Sequence, residues 1–199
     1  MSKFYFGLVS VLFLASCKTA NITASTGNQT WYQIATSVAP GKTLAETMRS
    51  QLGAPTQIIF KEKDSEWWAY CSAERPREKC GTGELGLLVD KTSGKIDSVQ
   101  WTAGSNNEAK SKDEIQATFK ELHLVVQEYR VEYPDFINTE KVLIDPEKGF
   151  VAEFRSNNPT KIETFHIGTP FKSYSDRWKG EHAPVSVVRL DPERSTAGK

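Results

Sequence analysis

The chain is poor in the residues that carry most enzyme chemistry. Its 199 residues include three Cys, three His and two Met, and Lys plus Arg equal Asp plus Glu at 25 each. Without an excess of cations there is no basis for a nucleic-acid partner, whose phosphate backbone calls for clustered positive charge. The three His are scattered, and neither a His-x-x-x-His pair nor a paired-Cys metal spacing occurs. No Gly-x-Ser-x-Gly elbow and no phosphate-cradling glycine loop is present. No apolar run reaches the roughly 20 residues that a spanning helix needs. These absences argue against an enzyme and against any cofactor or metal. His123 falls in a helical pattern beside Leu122, His166 on a strand and His182 in a loop, with nothing to join them into a triad. What the chain does have is aromatic residues: five Trp, six Tyr and ten Phe, which call for a folded core rather than a disordered tail.

The first eighteen residues have a distinct character. Lys3 precedes an apolar stretch of about a dozen residues, Phe4 to Ala15, and small residues close it. This is the pattern of an export signal, too short for a comfortable membrane span. Its end, Leu14-Ala15-Ser16-Cys17, resembles the lipobox of bacterial lipoproteins. The resemblance implies cleavage between Ser16 and Cys17 and a lipid on the Cys17 thiol. Lys18 stands where an Asp would favour inner-membrane retention, so the resemblance implies the outer membrane, facing the periplasm. An ordinary secretory signal cut near Ala15, or an uncut short anchor, are the competing readings. Residues 17–30, rich in Thr, Ser, Ala and Asn, read as a flexible tether.

With Cys17 lipidated, Cys71 and Cys80 remain as a pair. Export places them where such pairs form disulfides. A metal site would need further Cys or His nearby, and there are none within twenty residues on either side. The charged loop between them contains Pro76 and is expected to be exposed. Closing so short a loop stabilises by about 2 to 3 kcal/mol, less any strain.

Taken in order, Trp31 to Val38 reads as a short strand or lead-in segment. Thr43 and Glu46 have capping-box spacing, and Leu44, Met48 and Leu52 mark one face of a helix closed by Gly53 and Pro55. Strands are expected at 57–60, 66–71, 83–90 and 95–101, with the best internal boundary at 102–110. Ser111 and Glu114 form a second capping box. Ile115, Phe119, Leu122, Val126, Tyr129 and Tyr133 alternate spacings of four and three, which predicts a long amphipathic helix up to Pro134. Within it, Glu128 to Tyr133 also alternates as a strand; the longer pattern favours helix. A hairpin at 141–154, a strand at 161–167 and a last strand at 185–190 complete the chain.

Residues 41–101 resemble the SmpA/OmlA family of small outer-membrane lipoproteins from the β-barrel assembly machinery. The matching residues are Gly41-Lys42-Thr43, Leu52-Gly53-Ala54-Pro55, Trp68-Ala69-Tyr70 and the turn from Leu87 to Gly94. The cysteine loop and the C-terminal extension depart from that family. The stretch from Val142 to Gly149 echoes Leu87 to Gly94, which raises a tandem of two related αβ modules. Such a tandem resembles the secreted β-lactamase-inhibitory proteins, which grip an enzyme. The alternative is a common Asp-x-x-x-Gly hairpin turn arising twice.

The reading is therefore an α+β fold, with helices packed on one face of a mostly antiparallel sheet. Residues 1–16 are the signal, 17–30 the tether, 31–104 the SmpA/OmlA-like module and 110–192 a second αβ region. The function expected is non-enzymatic: a lipid-anchored envelope protein with a protein-binding or outer-membrane assembly role. The alternatives are an inhibitor or binder of an envelope enzyme and a cell-wall hydrolase, which would need a cleft holding a His or a close carboxylate pair. Trp67, Trp68 and Tyr70 are the candidate binding residues. The two Trp suggest a sugar platform, but alternation turns one of them inward, which favours core packing.

Overall fold

The computed structural model describes residues 29–73, 79–105, 107–133, 140–155, 158–172 and 184–190. Two helices lead, α1 (Trp31–Ser37) and α2 (Ala45–Leu52). Four strands follow: β1 (Gln57–Lys61), β2 (Ser65–Tyr70), β3 (Leu85–Asp90) and β4 (Lys95–Thr102). Then come α3 (Lys112–Thr118), β5 (Gln127–Glu132), β6 (Glu140–Asp145), β7 (Phe150–Arg155), β8 (Asn158–Ile167) and β9 (Ser186–Arg189). All nine strands lie in one antiparallel sheet of order β1-β2-β3-β4-β8-β7-β6-β5-β9. It consists of two meanders joined edge to edge at β4 and β8, where Trp101 pairs with Phe165 and Val99 with Ile167.

This corrects the expected fold class. The described residues hold a nine-stranded sheet and three short helices of seven, eight and seven residues, too few to form a helical layer over the sheet. Two local decisions explain the difference. The long helix expected from Ser111 to Tyr133 stops early: it ends at Thr118, a single 3-10 turn follows over Lys120–Leu122, and His123 at φ +50 then turns the backbone left-handed. The β-branched pair Val125-Val126 follows, and the strand alternation of Glu128 to Tyr133 prevails over the helical spacing. In β5, Val131 is buried while Arg130 and Glu132 are exposed. Pairing with β6 on one side and β9 on the other satisfies the backbone of β5.

Trp31 to Val38, expected as a strand or lead-in, is the helix α1. Its capping box uses Thr30 and Gln33: Gln33 N donates to Thr30 Oγ1 (3.3 Å), and Thr30 N donates to Gln33 Oε1 (2.9 Å). The box expected at Thr43 and Glu46 does not form. Thr43 Oγ1 accepts from Ala39 N instead (2.9 Å), and Leu44 takes the N-cap position without a side-chain bond. The α2 face is also shifted: Ala45 and Met48 are buried, while Leu44 is exposed. The box at Ser111 and Glu114 does form, at 3.2 and 2.7 Å.

One sheet face carries the main core. A row of cross-strand neighbours runs Tyr70, Leu85, Trp101, Phe165, Ala152 and Leu143 from β2 to β6. Ile34 and Ala35 of α1, Met48 of α2, and Ile115 and Phe119 beside them close over that row. The other face holds two smaller clusters. Ala69, Cys71 and Cys80 lie with Trp67 near β2, and Val131, Val142, Ile144 and Val151 lie in the second meander.

The echoed turns do not carry the tandem-module reading. The echoed turns, Asp90 to Gly94 and Asp145 to Gly149, are built alike: each Asp carboxylate accepts turn amides, and each closing Gly has positive φ. Yet one joins β3 to β4 and the other β6 to β7. Meanders joined through their last strands would match β3–β4 with β7–β8. The shared sequence is a turn solution used twice.

Candidate functional site

Ser16 and Cys17 lie outside the described residues, as do His182 and the loop residues 74–78. Cys71 and Cys80 form a disulfide with Cα atoms 5.9 Å apart. It ties the end of β2 to the turn before β3, where Cys71 N donates to Thr56 Oγ1 (3.1 Å). His123 is exposed beyond α3 and His166 lies half-buried on β8, paired across to Gln100. The structure does not bring these two His together at a common site.

The three candidate aromatic residues separate between the two faces, as strand alternation requires. Trp68 and Tyr70 are core residues, 7% and 2% exposed. Trp68 Nε1 donates to Glu66 (3.0 Å), and Tyr70 OH donates to the Gly53 carbonyl (3.3 Å). Burial pushes the Tyr70 hydroxyl up to about 12, with Arg49 opposing in part. Both are therefore packing residues. Trp67 turns to the other face and lies across β3 on Gly86. A Cβ at position 86 would stand within van der Waals overlap of the indole, so only glycine fits beneath it. Its Nε1 donates to the Thr82 carbonyl (3.0 Å), and Phe60 lies beside it with ring centroids 6.3 Å apart.

Phe60 leads to the edge of the sheet. β1 pairs only with β2 among the described strands, and it exposes three consecutive apolar side chains: Ile58 at 36%, Ile59 at 43% and Phe60 at 40%. The register slips between Ile58 and Lys61, so Ile59 and Phe60 together stand opposite Trp67. Such a bulge interrupts the ladder and discourages simple strand addition. What the edge offers is a patch of side chains: two Ile, a Phe and the flank of Trp67. Apolar side chains exposed together at an edge are an interaction surface or a liability.

A second feature lies on the core side, at the end of the sheet where α1 begins. A cleft of about 1020 Å³ opens there between α1, the end of α2, the start of β3 and the loop after β4. Trp31, Tyr32 and Trp101 are its aromatic lining, and Ile34 and Leu52 are its only aliphatic lining among the described residues. The rest is hydroxyl, amide and charge: Gln29, Thr30, Gln51, Ser72, Glu84, Ser105, Asn107, Glu108 and Lys110, with Gly104 between. Glu84 is 5% exposed, and its carboxylate accepts from Ser72 N (3.1 Å) and Ser72 Oγ (3.2 Å). Glu108 accepts from Gly104 N (2.9 Å). A Cβ on Gly104 would stand 3.1 Å from Glu84 and 3.3 Å from Glu108, so the two carboxylates flank one point. Lys110 reaches over the Tyr32 ring (5.1 Å) and toward Glu114 (4.0 Å).

The cleft thus contains the carboxylate pair that a hydrolase would require, though none of the described His. Both carboxylates are tied to neighbouring backbone amides, as acceptors that fix loops. Sequence reasoning missed this site. Glu84 follows Gly83 at a strand start, and nothing in its neighbours announces a buried carboxylate. Among the described residues no three His, Cys, Asp or Glu converge to hold a metal, and no helix is long and apolar enough to cross a membrane. No family model, no curated protein and no solved structure matches the chain.

Proposed function

We propose that the chain is a lipid-anchored envelope protein, held at the outer membrane through Cys17, that binds other envelope proteins without catalysing a reaction. The observation that carries the binding role is the β1 edge, where Ile58, Ile59 and Phe60 are exposed in a row and Phe60 lies beside Trp67. Burying these side chains against a partner is worth about 25 cal/mol per Å² of apolar surface removed from water, before the costs of association. The bulge directs recognition to side chains rather than to an added strand. The Cys71–Cys80 disulfide fits an oxidising compartment. The SmpA/OmlA resemblance of residues 41–101 supports an assembly role in particular.

Two measurements test this reading. Labelled palmitate should enter the wild-type chain and not Cys17→Ala; equal labelling would remove the anchor. Crosslinking in intact cells should capture outer-membrane barrel proteins with the wild type. Ile59→Lys should reduce that capture at least tenfold without altering the circular dichroism of the purified protein, because it places a charge in the patch and leaves the core untouched. Undiminished capture by the Lys variant would eliminate the edge as the contact. Capture of a soluble enzyme in place of barrel proteins would favour an inhibitor.

A further inference from the structure

We propose that the cleft beside α1 is a binding site for a sugar chain: a neutral oligosaccharide with a ring stacked on Trp31 and hydroxyls bonded to Glu108, Ser105 and Asn107. Elimination comes first. A fatty chain needs aliphatic walls, and Ile34 and Leu52 are the only ones among the described residues. A phosphate ligand needs cations, whereas among the described residues the cleft has one, Lys110, engaged with Tyr32 and Glu114, and two carboxylates that repel it. A basic peptide would compete for the same two carboxylates, and the titration below sets it against the sugars. Sugar hydroxyls both donate and accept. They match a rim of hydroxyls, amides and fixed carboxylates placed around an aromatic ring.

The geometry adds preorganisation. Trp31 is held from behind by Tyr70, with ring centroids 6.2 Å apart, and Glu108 is fixed by Gly104 N. The space, about 1020 Å³, lies at the upper end of the usual range for ligand clefts. It therefore suits a chain of rings better than a single one. This site is separate from the β1 edge, and the two can fail independently.

The full-length protein, purified in detergent, is titrated with chitotetraose, with maltotetraose and with a lysine-rich tetrapeptide, by calorimetry and tryptophan fluorescence. Saturable binding of at least one sugar at millimolar or lower concentration is expected, with a change in Trp fluorescence. Glu108→Gln keeps an oxygen for Gly104 N and removes the charge; it should weaken sugar binding about tenfold, as should Asn107→Ala. Ile59→Lys, at the distant edge, should leave it unchanged. Failure of both sugars to bind would overturn the proposal. So would binding of the peptide alone, or sugar binding indifferent to both cleft variants.

Discussion

Gly149→Ala will destabilise the protein by about 2 to 5 kcal/mol, one of the largest effects of any single methyl in the chain. Gly149 has φ +61, and a side chain in that region costs about 1 to 2 kcal/mol. The new Cβ would also collide with the Gly168 carbonyl and with Thr169, all backbone atoms that no rotamer change can clear. Forcing them apart adds about 1 to 3 kcal/mol, the usual cost of overpacking. The segment cannot easily yield. Gly149 N donates to the Pro146 carbonyl (3.2 Å), and Gly168 N donates to the Gly149 carbonyl (3.1 Å). Gly94 is the control. It has φ +67 in a turn of the same kind, but nothing lies within 4 Å of its would-be Cβ. Gly94→Ala should therefore show only the backbone cost, about 1 to 2 kcal/mol. Urea denaturation of the two variants decides. Equal losses would mean that the contact with residues 168 and 169 is not a constraint.

The same pair of turns shows what the sequence revealed and what it did not. Asp90 to Gly94 and Asp145 to Gly149 were both legible as hairpin turns, because an Asp that accepts turn amides and a Gly that takes positive φ are local requirements. Their similarity suggested a repeat, but the two turns hold different places in the two meanders, one between β3 and β4 and the other between β6 and β7. Which strands lie side by side depends on contacts between distant residues, such as Trp101 with Phe165, that no short pattern encodes. The long helix failed for a related reason. Ile115 to Tyr133 satisfied a helical spacing and Glu128 to Tyr133 a strand spacing, and the decision lay with neighbours outside the segment, β6 and β9. By contrast, the cap of α1 is legible in the sequence. Thr30-Trp31-Tyr32-Gln33 has the spacing of a capping box, a local requirement that needs no distant neighbour.

The candidate sites divide along the same line. Alternation separated Trp67 from Trp68 and Tyr70, since a pleated strand leaves no choice about which residues share a face. The disulfide followed from counting. The β1 edge was visible as a strand, but not as an edge. The cleft was invisible, because Glu84 and Glu108 are 24 positions apart and meet only through the loop at Gly104. Both candidate surfaces lie where the two meanders and the leading helices leave surface uncovered, and such surface is a property of packing rather than of motif.

Phe165→Ala tests whether the two meanders are one folded unit. Phe165 is fully buried on β8, at the seam with β4. Rings from both halves surround it. Trp101 stacks at 5.5 Å and Tyr32 meets it edge-on at 5.9 Å from the first half; Phe119 at 5.2 Å and Phe150 at 6.3 Å belong to the second. Removing the ring loses its transfer free energy and leaves a cavity lined by four aromatic rings too rigid to collapse, a loss of about 3 to 5 kcal/mol. Phe60→Ala, on the exposed edge, should cost well under about 1 kcal/mol. If the seam joins the halves cooperatively, the Phe165 variant unfolds in one transition at lower urea with an unchanged slope. Tryptophan fluorescence is weighted to the first half through Trp31, Trp67, Trp68 and Trp101, while far-ultraviolet circular dichroism follows the whole sheet. The two should still coincide in the variant. If they separate, with fluorescence and dichroism giving different midpoints, the meanders are independent units and the β4–β8 pairing is only a contact between them. A loss as small as that of Phe60→Ala would instead deny Phe165 its place in the core. A single shifted transition means that stability at the seam is shared by the cleft beside α1 and the edge at β1, so that neither surface can be weakened by core damage without the other.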